Sequence, residues 1–155
     1  MSSNLLLAAG IVGCGTVAGV FFAFSGFVMP ALARLPVPQG VAAMQAVNVT
    51  AVKPPLMIAL FGTAVVCLMI AAEAVRGWGT PGAAPRLLAA FLYLLGVVGV
   101  TMVCNVPRNN ALDVLDPQST QAASYWPIFF REWVTWNSVR TVASGLAAVA
   151  LLAAR

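Results

Sequence analysis

The sequence predicts an all-α integral membrane protein, a four-helix bundle with short interfacial helices in its two long connections. Of its 155 residues, 61% are hydrophobic and only 8% are charged, whereas a soluble domain carries roughly 25% charged residues. The apolar residues fall in four runs, each long enough to cross a hydrocarbon core about 30 Å thick. We therefore expect a single transmembrane domain, residues 1–155, with spans at about 5–30, 55–75, 87–106 and 134–154.

Charge and composition exclude several classes of function. The net charge is +4, but the basic residues are scattered singly and form no run that would follow nucleic-acid phosphates. Histidine, the commonest metal ligand and general base, is absent. Cys14, Cys67 and Cys104 lie far apart without CxxC spacing, so we interpret them as small core residues. We expect no nucleic-acid partner, no metal site and no cofactor.

The first apolar run contains no charged residue and is rich in glycine. Gly15 and Gly19 form a GxxxG step, which allows two helices to approach closely. Packing inside the bundle is the favoured interpretation of this step, and dimerisation is the alternative. The oligomeric state stays open.

The two long connections are both expected to contain helix. In the first, Pro36 and Pro38 end the preceding helix, and residues 41–52 (VAAMQAVNVTAV) predict a short helix lying over the bundle. The second, residues 107–133, is too long to lack structure of its own. Two short helices are predicted there, at 111–115 and 119–126, separated by Asp116-Pro117.

Four spans place both termini on one side of the membrane and both long connections on the other. The basic residues of the short 76–86 turn favour termini on the cytoplasmic side of a bacterial cytoplasmic membrane. Polar and aromatic residues at four helix ends should then meet at the opposite mouth, where small bundles hold their sites. The residues predicted to converge there are Ser25, Asn48, Asn105, Arg108, Asn109, Asn110, Trp133, Trp136, Asn137 and Arg140.

The stretch 133–144, WVTWNSVRTVAS, supplies the centre of this predicted site. Steps of three and four residues place Trp133, Trp136, Asn137 and Arg140 on one side of a helix. Arg140 falls about 7 Å below the membrane surface, where an arginine costs about 2.5–3 kcal/mol unless it pairs or reaches a wet cavity. A functional role is the favoured interpretation, and snorkelling to the headgroups is the alternative.

The predicted mouth also indicates a class of ligand. Arginine offers a planar fork of donors, and with Asn137 it suits a carbonyl or enolate-type oxygen. The tryptophans suit a flat aromatic body. A buried polar network that locks the helices, with tryptophans as an interface belt, explains the same residue types. Residue types alone leave the two interpretations open.

Four motifs in the same order, AGVFFAFSGFVMPAL, AAMQAVN, NVPRNNAL and WVTWNSVRTVAS, resemble the anthrone oxygenase-like membrane proteins. The resemblance implies four transmembrane helices and, from the characterised fungal members, oxidation of anthrones to anthraquinones by molecular oxygen without metal or flavin. The family pattern maps onto Asn48, Asn105, Pro107, Asn109, Asn110, Trp133, Trp136, Asn137 and Arg140. Many bacterial relatives carry histidine where Ser138 stands here, so the general base is open among Asp113, Glu132 and Tyr125.

Two classes of function follow. One is a cofactor-independent oxygenase that acts on a polycyclic, anthrone-type substrate. In it, Arg140 and Asn137 are catalytic, and the substrate is bound by Asn48, Asn105, Arg108, Asn109, Asn110, Trp133 and Trp136. The other is a non-catalytic membrane module that binds a quinone-like molecule, a lipid or a partner membrane protein. Both classes are expected to lie in the lipid bilayer. The first also has a lipophilic aromatic small molecule as its partner.

Overall fold

The computed structural model describes residues 3–154, and over this part of the chain it contains helices and turns but no strands. This confirms the predicted all-α class. The helices, numbered in chain order, are α1 Ser3–Leu32, α2 Val37–Ala51, α3 Pro54–Arg76, α4 Ala83–Asp113 and α5 Thr120–Ala153. The four long helices form a closed ring, because α1 packs against α3, α3 against α4, α4 against α5, and α5 against α1.

Three helices, α1, α3 and α4, are long and apolar enough to cross a membrane. This is consistent with an integral membrane protein. The helix α5 has 34 residues but is not one of the three, because polar residues such as Asn137 and Arg140 interrupt its apolar sequence. The predicted span at 134–154 coincides with the second half of α5 and is not among these three helices.

The helix predicted in the first connection is confirmed as α2. Pro38 lies in its first turn, where the missing N–H of proline has no helical partner to lose. Gln45 Nε2 donates to the carbonyl oxygens of Leu112 and Leu115, both at 2.9 Å. These bonds hold α2 over the end of α4.

The prediction for the second connection is confirmed for its helical content and for the break at Asp116-Pro117, but it is wrong about two separate short helices. Instead of two separate short helices, α4 continues to Asp113 and α5 already begins at Thr120. Only a turn with Asp116-Pro117 intervenes, and Ser119 caps α5 by accepting a hydrogen bond from the N–H of Ala122 at 3.1 Å. Two prolines of this region, Pro107 and Pro127, lie inside α4 and α5 instead of ending them.

Two wide, π-helical turns explain how α1 and α4 pass their prolines. The turns Phe24–Val28 and Thr101–Asn105 each end two residues before a proline, Pro30 and Pro107. In a regular α-helix the proline ring clashes with the carbonyl four residues earlier, and a wider turn relieves that clash. The polar residues in these turns are thereby directed differently from those of a regular helix.

The glycines of α1 divide into packed and open positions. A Cβ atom added to Gly13 would collide with Thr63 of α3, so this glycine allows α1 and α3 to touch. Gly15 and Gly19 are exposed, and an added Cβ would meet nothing within 4 Å. The favoured interpretation of the GxxxG step, internal packing, is therefore wrong, because the step faces outward.

The apolar core has two parts. The larger lies among the four long helices and includes Val17, Leu60, Ile70, Tyr93 and Leu151. The smaller lies under α2 and is formed by Met29, Val41, Met44, Leu112, Ala122, Trp126, Phe129 and Trp133. A cavity is lined by residues of both parts, and it is there that the polar side chains gather.

Candidate functional site

A cavity of about 120 Å³ lies at the mouth of the helix ring and is lined by all five helices. Its walls are mostly apolar. Its polar lining residues are Asn48, Thr101, Asn105, Asn109, Asn137 and Arg140. The predicted convergence of Asn48, Asn105, Asn109, Asn137 and Arg140 on one cavity is thus confirmed.

Arg140 points into this cavity and is only 5% exposed. Its guanidinium lies over the ring of Phe21, with Cζ 4.1 Å from the ring centroid, and 5.5 Å from the ring of Trp133. Nη2 donates to Asn137 Oδ1 at 2.7 Å and Nη1 to Thr101 Oγ1 at 3.1 Å. Because the side chain is held inside the protein, the alternative of snorkelling to the headgroups is wrong.

Arg140 has no carboxylate partner among residues 3–154, where the one ion pair joins Arg108 and Glu132 at 2.9 Å. Its Nε–H is buried and has no hydrogen-bond partner among residues 3–154. A buried cation is costly unless it is paired or hydrogen-bonded. Because Arg140 lines the cavity, the cavity offers positive charge to an anionic or carbonyl oxygen.

Asn137 is fully buried, and its polar atoms are all engaged. Nδ2 donates to the carbonyl oxygen of Phe21 and to Ser25 Oγ, both at 2.7 Å, while Oδ1 accepts from Arg140. Ser25 belongs to the wide turn of α1. Asn137 thus ties α5 to that turn and fixes the orientation of Arg140, so it is suited to positioning the arginine.

Within residues 3–154, Asn105 has a buried hydrogen-bond acceptor without a donor, whereas Arg140 has a buried donor without an acceptor. Asn105 is 1% exposed, and its Nδ2 donates to the carbonyl oxygen of Trp133 at 3.3 Å, but its Oδ1 has no partner in the described part of the chain. A buried acceptor without a donor costs roughly 1–3 kcal/mol. A ligand that presents an oxygen to Arg140 and an O–H or N–H group to Asn105 would satisfy both residues.

Aromatic rings form one wall of the cavity. The indole Nε1 of Trp133 donates to Asn109 Oδ1 at 2.8 Å, which fixes the ring against the end of α4. Its ring centroid lies 5.9 Å from that of Phe24 and 6.5 Å from that of Phe129. Such a wall suits a flat aromatic ligand.

Three of the predicted substrate-binding residues do not line the cavity. Arg108 is engaged by Glu132 and by the carbonyl oxygen of Cys104, the latter at 2.7 Å. Asn110 is exposed, and Trp136 is half-buried outside the lining. Sequence reasoning missed Thr101 and Phe21, although Thr101, a polar residue one helical turn before Asn105 in an apolar run, was a usable signal.

The candidate bases differ in their access to the cavity. Asp113 Oδ1 accepts from Nδ2 of the cavity residue Asn48 at 2.8 Å. Glu132 is occupied by Arg108. Burial, and then the neighbouring Glu132 carboxylate, raise the pKa of Tyr125, which makes its phenolate scarcer at neutral pH. Among residues 3–154, Asp113 is therefore the candidate whose carboxylate has no cation partner and contacts a residue that lines the cavity.

Comparison with models of known protein families identifies the family of this chain. A family model described as anthrone oxygenase matches residues 49–150. The chain belongs to the anthrone oxygenase family. The resemblance predicted from the sequence is thereby confirmed. No curated protein and no solved structure matches the chain.

The part that matches the anthrone oxygenase family contains most of the cavity's polar residues. It covers α3, α4 and most of α5, and so includes Asn105, Asn109, Asn137 and Arg140. Asn48 lies one residue before it. Within residues 3–154, no group of three or more His, Cys, Asp or Glu side chains is arranged to hold a metal ion.

Proposed function

We propose that this anthrone oxygenase family member is an integral membrane oxygenase that oxidises a polycyclic, anthrone-type phenol with molecular oxygen. The observation that carries the proposal is Arg140, a buried arginine without a carboxylate partner among residues 3–154, facing a cavity with aromatic walls. Preorganised donors aimed at a developing oxyanion are usually the largest single contribution to catalysis. Family membership supports the same reaction class.

The proposal includes four membrane crossings, with α5 as the fourth. The exposed side of the second half of α5 is apolar and is formed by Val139, Val142, Leu146 and Val149. Asn137, Arg140 and Ser144 of the same half are buried. A helix that turns its polar residues inward and presents apolar residues outward is suited to lipid in spite of its mixed composition. In this arrangement α2 lies at the interface, and the termini face the cytoplasm across a bacterial cytoplasmic membrane.

The reaction begins with loss of a proton from the methylene carbon opposite the substrate's carbonyl. The electron pair left behind is delocalised onto the carbonyl oxygen, which becomes anionic, and Arg140 stabilises that oxygen. The electron-rich carbon then reacts with oxygen. In balance, the methylene loses two hydrogens and gains one oxygen atom as a new carbonyl, and the second oxygen atom leaves with the two hydrogens as water.

The remaining roles follow from the hydrogen bonds. Asn137 positions Arg140, and Asn105 Oδ1 accepts a hydrogen bond from a phenolic hydroxyl of the substrate. Asp113, which accepts a hydrogen bond from Asn48 at the edge of the cavity, takes the proton through water. Trp133, Phe21 and Phe24 contact the rings.

A second candidate is non-catalytic binding of a quinone-like molecule. One observation favours it: the residues lining the cavity include no carboxylate, cysteine or tyrosine, so no proton acceptor lies in direct contact with a bound ligand. The reaction's product is itself a quinone, so binding alone does not separate the two candidates.

Oxygen uptake separates them. Purified protein is mixed with a hydroxylated anthrone, and oxygen consumption and anthraquinone formation are followed against buffer and against Arg140→Lys. The proposal expects one oxygen molecule consumed per anthraquinone formed, with most of the rate lost in the variant. Binding of the anthraquinone without any acceleration of oxygen uptake by the wild-type protein would establish the second candidate instead. An absorption spectrum of the same preparation reveals haem or flavin, if either is bound.

A further inference from the structure

A second concavity adjoins the cavity on its outer side. It is a groove of about 580 Å³ between α2 and α3, lined in part by Ala43, Ala46, Thr50, Lys53 and Pro55. We name it the outer groove. Four further residues line both the cavity and the outer groove: Phe24, Val47, Ala51 and Leu56. The two spaces therefore share a wall and lie side by side at the corner where α2 leads into α3.

The size of the cavity requires such an extension. An engineered apolar cavity of about 150 Å³ binds benzene, so about 120 Å³ holds roughly one aromatic ring. Sites for larger organic ligands typically measure about 300–1,000 Å³. A ligand with several fused rings that contacts Arg140 must leave the cavity, and the adjoining outer groove provides apolar space of sufficient volume.

The outer groove also has a charge. Lys53, the residue immediately before α3, is exposed and lines it, whereas no acidic residue does. Lys53 has no ion-pair partner among residues 3–154. It does not line the inner cavity, so its ammonium group and Arg140 serve different parts of the path. A ligand that extends from Arg140 through the outer groove brings its far end to a cation.

We propose that the outer groove is the second half of the ligand site and that the ligand is a polycyclic aromatic acid. One ring occupies the cavity at Arg140, the remaining rings lie between α2 and α3, and the carboxylate binds Lys53. The inference rests on the proposed function for its aromatic ligand, but it does not depend on turnover, and quinones that are not turned over test it.

The first experiment tests the place of the rings. Isothermal titration calorimetry in dodecyl maltoside measures two probes, anthraquinone-2-carboxamide with three rings and 4-hydroxyacetophenone with one. Ala46→Phe fills the outer groove, since Ala46 lines it but not the cavity. Ala42→Phe is the matched control, because Ala42 is exposed on the same helix and lines neither space. We expect at least tenfold weaker binding of the three-ring probe in Ala46→Phe alone, with the one-ring probe unchanged.

The second experiment tests the charge. Anthraquinone-2-carboxylate is compared with its carboxamide in the same phosphate-free detergent, which leaves no lipid phosphate to occupy Lys53. The wild-type protein is expected to prefer the carboxylate about two- to fivefold, the range of an exposed ion pair, and Lys53→Gln to remove the preference. Arg34→Gln, a change at another exposed cation that does not line the groove, is expected to keep it.

The outcomes separate this inference from the proposed function. If Lys53→Gln and Arg34→Gln lose the preference for the carboxylate equally, the preference reflects general surface charge and the inference is overturned. Tight binding of the three-ring probe by Ala46→Phe also overturns it. In either case, weaker binding of the probes by Arg140→Lys still supports the proposed function. If the wild-type protein binds none of the three probes, this inference fails, and anthrone-dependent oxygen uptake decides the proposed function independently.

Discussion

Replacement of Arg140 by lysine tests the centre of the site most directly. Lysine keeps the positive charge but replaces a planar fork of five donors with a compact ammonium group. In the structure, Nη1 and Nη2 of Arg140 are bound to Thr101 and Asn137, and Nε–H is buried without a partner among residues 3–154. The ammonium group of a lysine cannot keep both of these bonds and also present a donor to the ligand.

Arg140→Lys is expected to lower activity much more than stability. A hydrogen bond to a charged group contributes about 1.5–3 kcal/mol, so loss of one such bond to the oxyanion should lower kcat/KM about 10- to 150-fold. The free energy of unfolding should fall by only about 1 kcal/mol, the value of one ordinary hydrogen bond. Asn137 keeps its bonds to Phe21 and Ser25 in the variant, so the contact between α1 and α5 is retained.

The assay combines melting curves in detergent with anthrone-dependent oxygen uptake and with quinone binding. Arg131→Lys is the matched control, because Arg131 is exposed on the same helix, and it should behave like the wild-type protein in all three measurements. Wild-type turnover and binding in Arg140→Lys would refute the role assigned to Arg140. A large loss of thermal stability in Arg140→Lys, with normal activity of the protein that remains folded, would identify Arg140 as a structural anchor instead.

Four further predictions follow from particular contacts. Asn105→Leu removes the unpaired acceptor, so the melting temperature should stay unchanged or rise. The same variant should prefer a hydroxylated ligand over its methyl ether at least tenfold less than the wild-type protein does. An unchanged preference in binding titrations contradicts this prediction. Asn137→Ala breaks three buried hydrogen bonds, so it should lower the free energy of unfolding by about 2–3 kcal/mol and also lower turnover. Asn137→Asp is the variant that checks for partial rescue. Unaltered denaturant unfolding of Asn137→Ala would argue against the role of Asn137 in joining α1 to α5. Gly13→Ala introduces a collision with α3 and should cost about 1–3 kcal/mol, whereas Gly15→Ala, at an open position, should stabilise by up to about 1 kcal/mol; similar melting temperatures for the pair would mean that α1 packs differently. Asp113→Asn should slow oxygen uptake but leave quinone binding intact, and full turnover in this variant would exclude Asp113 as the base.

The sequence by itself determined the class of the protein and much of its polar centre. Apolar run length depends only on composition along the chain, so the all-α class, and the locations of the three helices able to cross a membrane, could be read directly. Helical spacing and antiparallel order brought Asn48, Asn105, Asn137 and Arg140 to one mouth. An arginine within an apolar run is expensive wherever it faces lipid, so its inward orientation could also be anticipated.

Only the tertiary structure decided which polar atoms are satisfied and which are left for a ligand. Asn137 and Asn105 are the same residue type, and both are buried, but one has every polar atom engaged and the other has a free acceptor. That difference depends on where the neighbouring backbone lies, and the wide turns of α1 and α4 set it. These turns accommodate Pro30 and Pro107, which local sequence rules interpret as helix ends.

The same dependence on neighbours explains the remaining errors. A GxxxG step allows close packing but does not choose the direction it faces, and here Gly13 meets α3 while Gly15 and Gly19 face outward. The volume of the cavity and its continuation into the outer groove depend on how α2 lies over the ends of the long helices. Periodicity along one helix carries no information on the distance between two helices, so the shape of the site comes from packing.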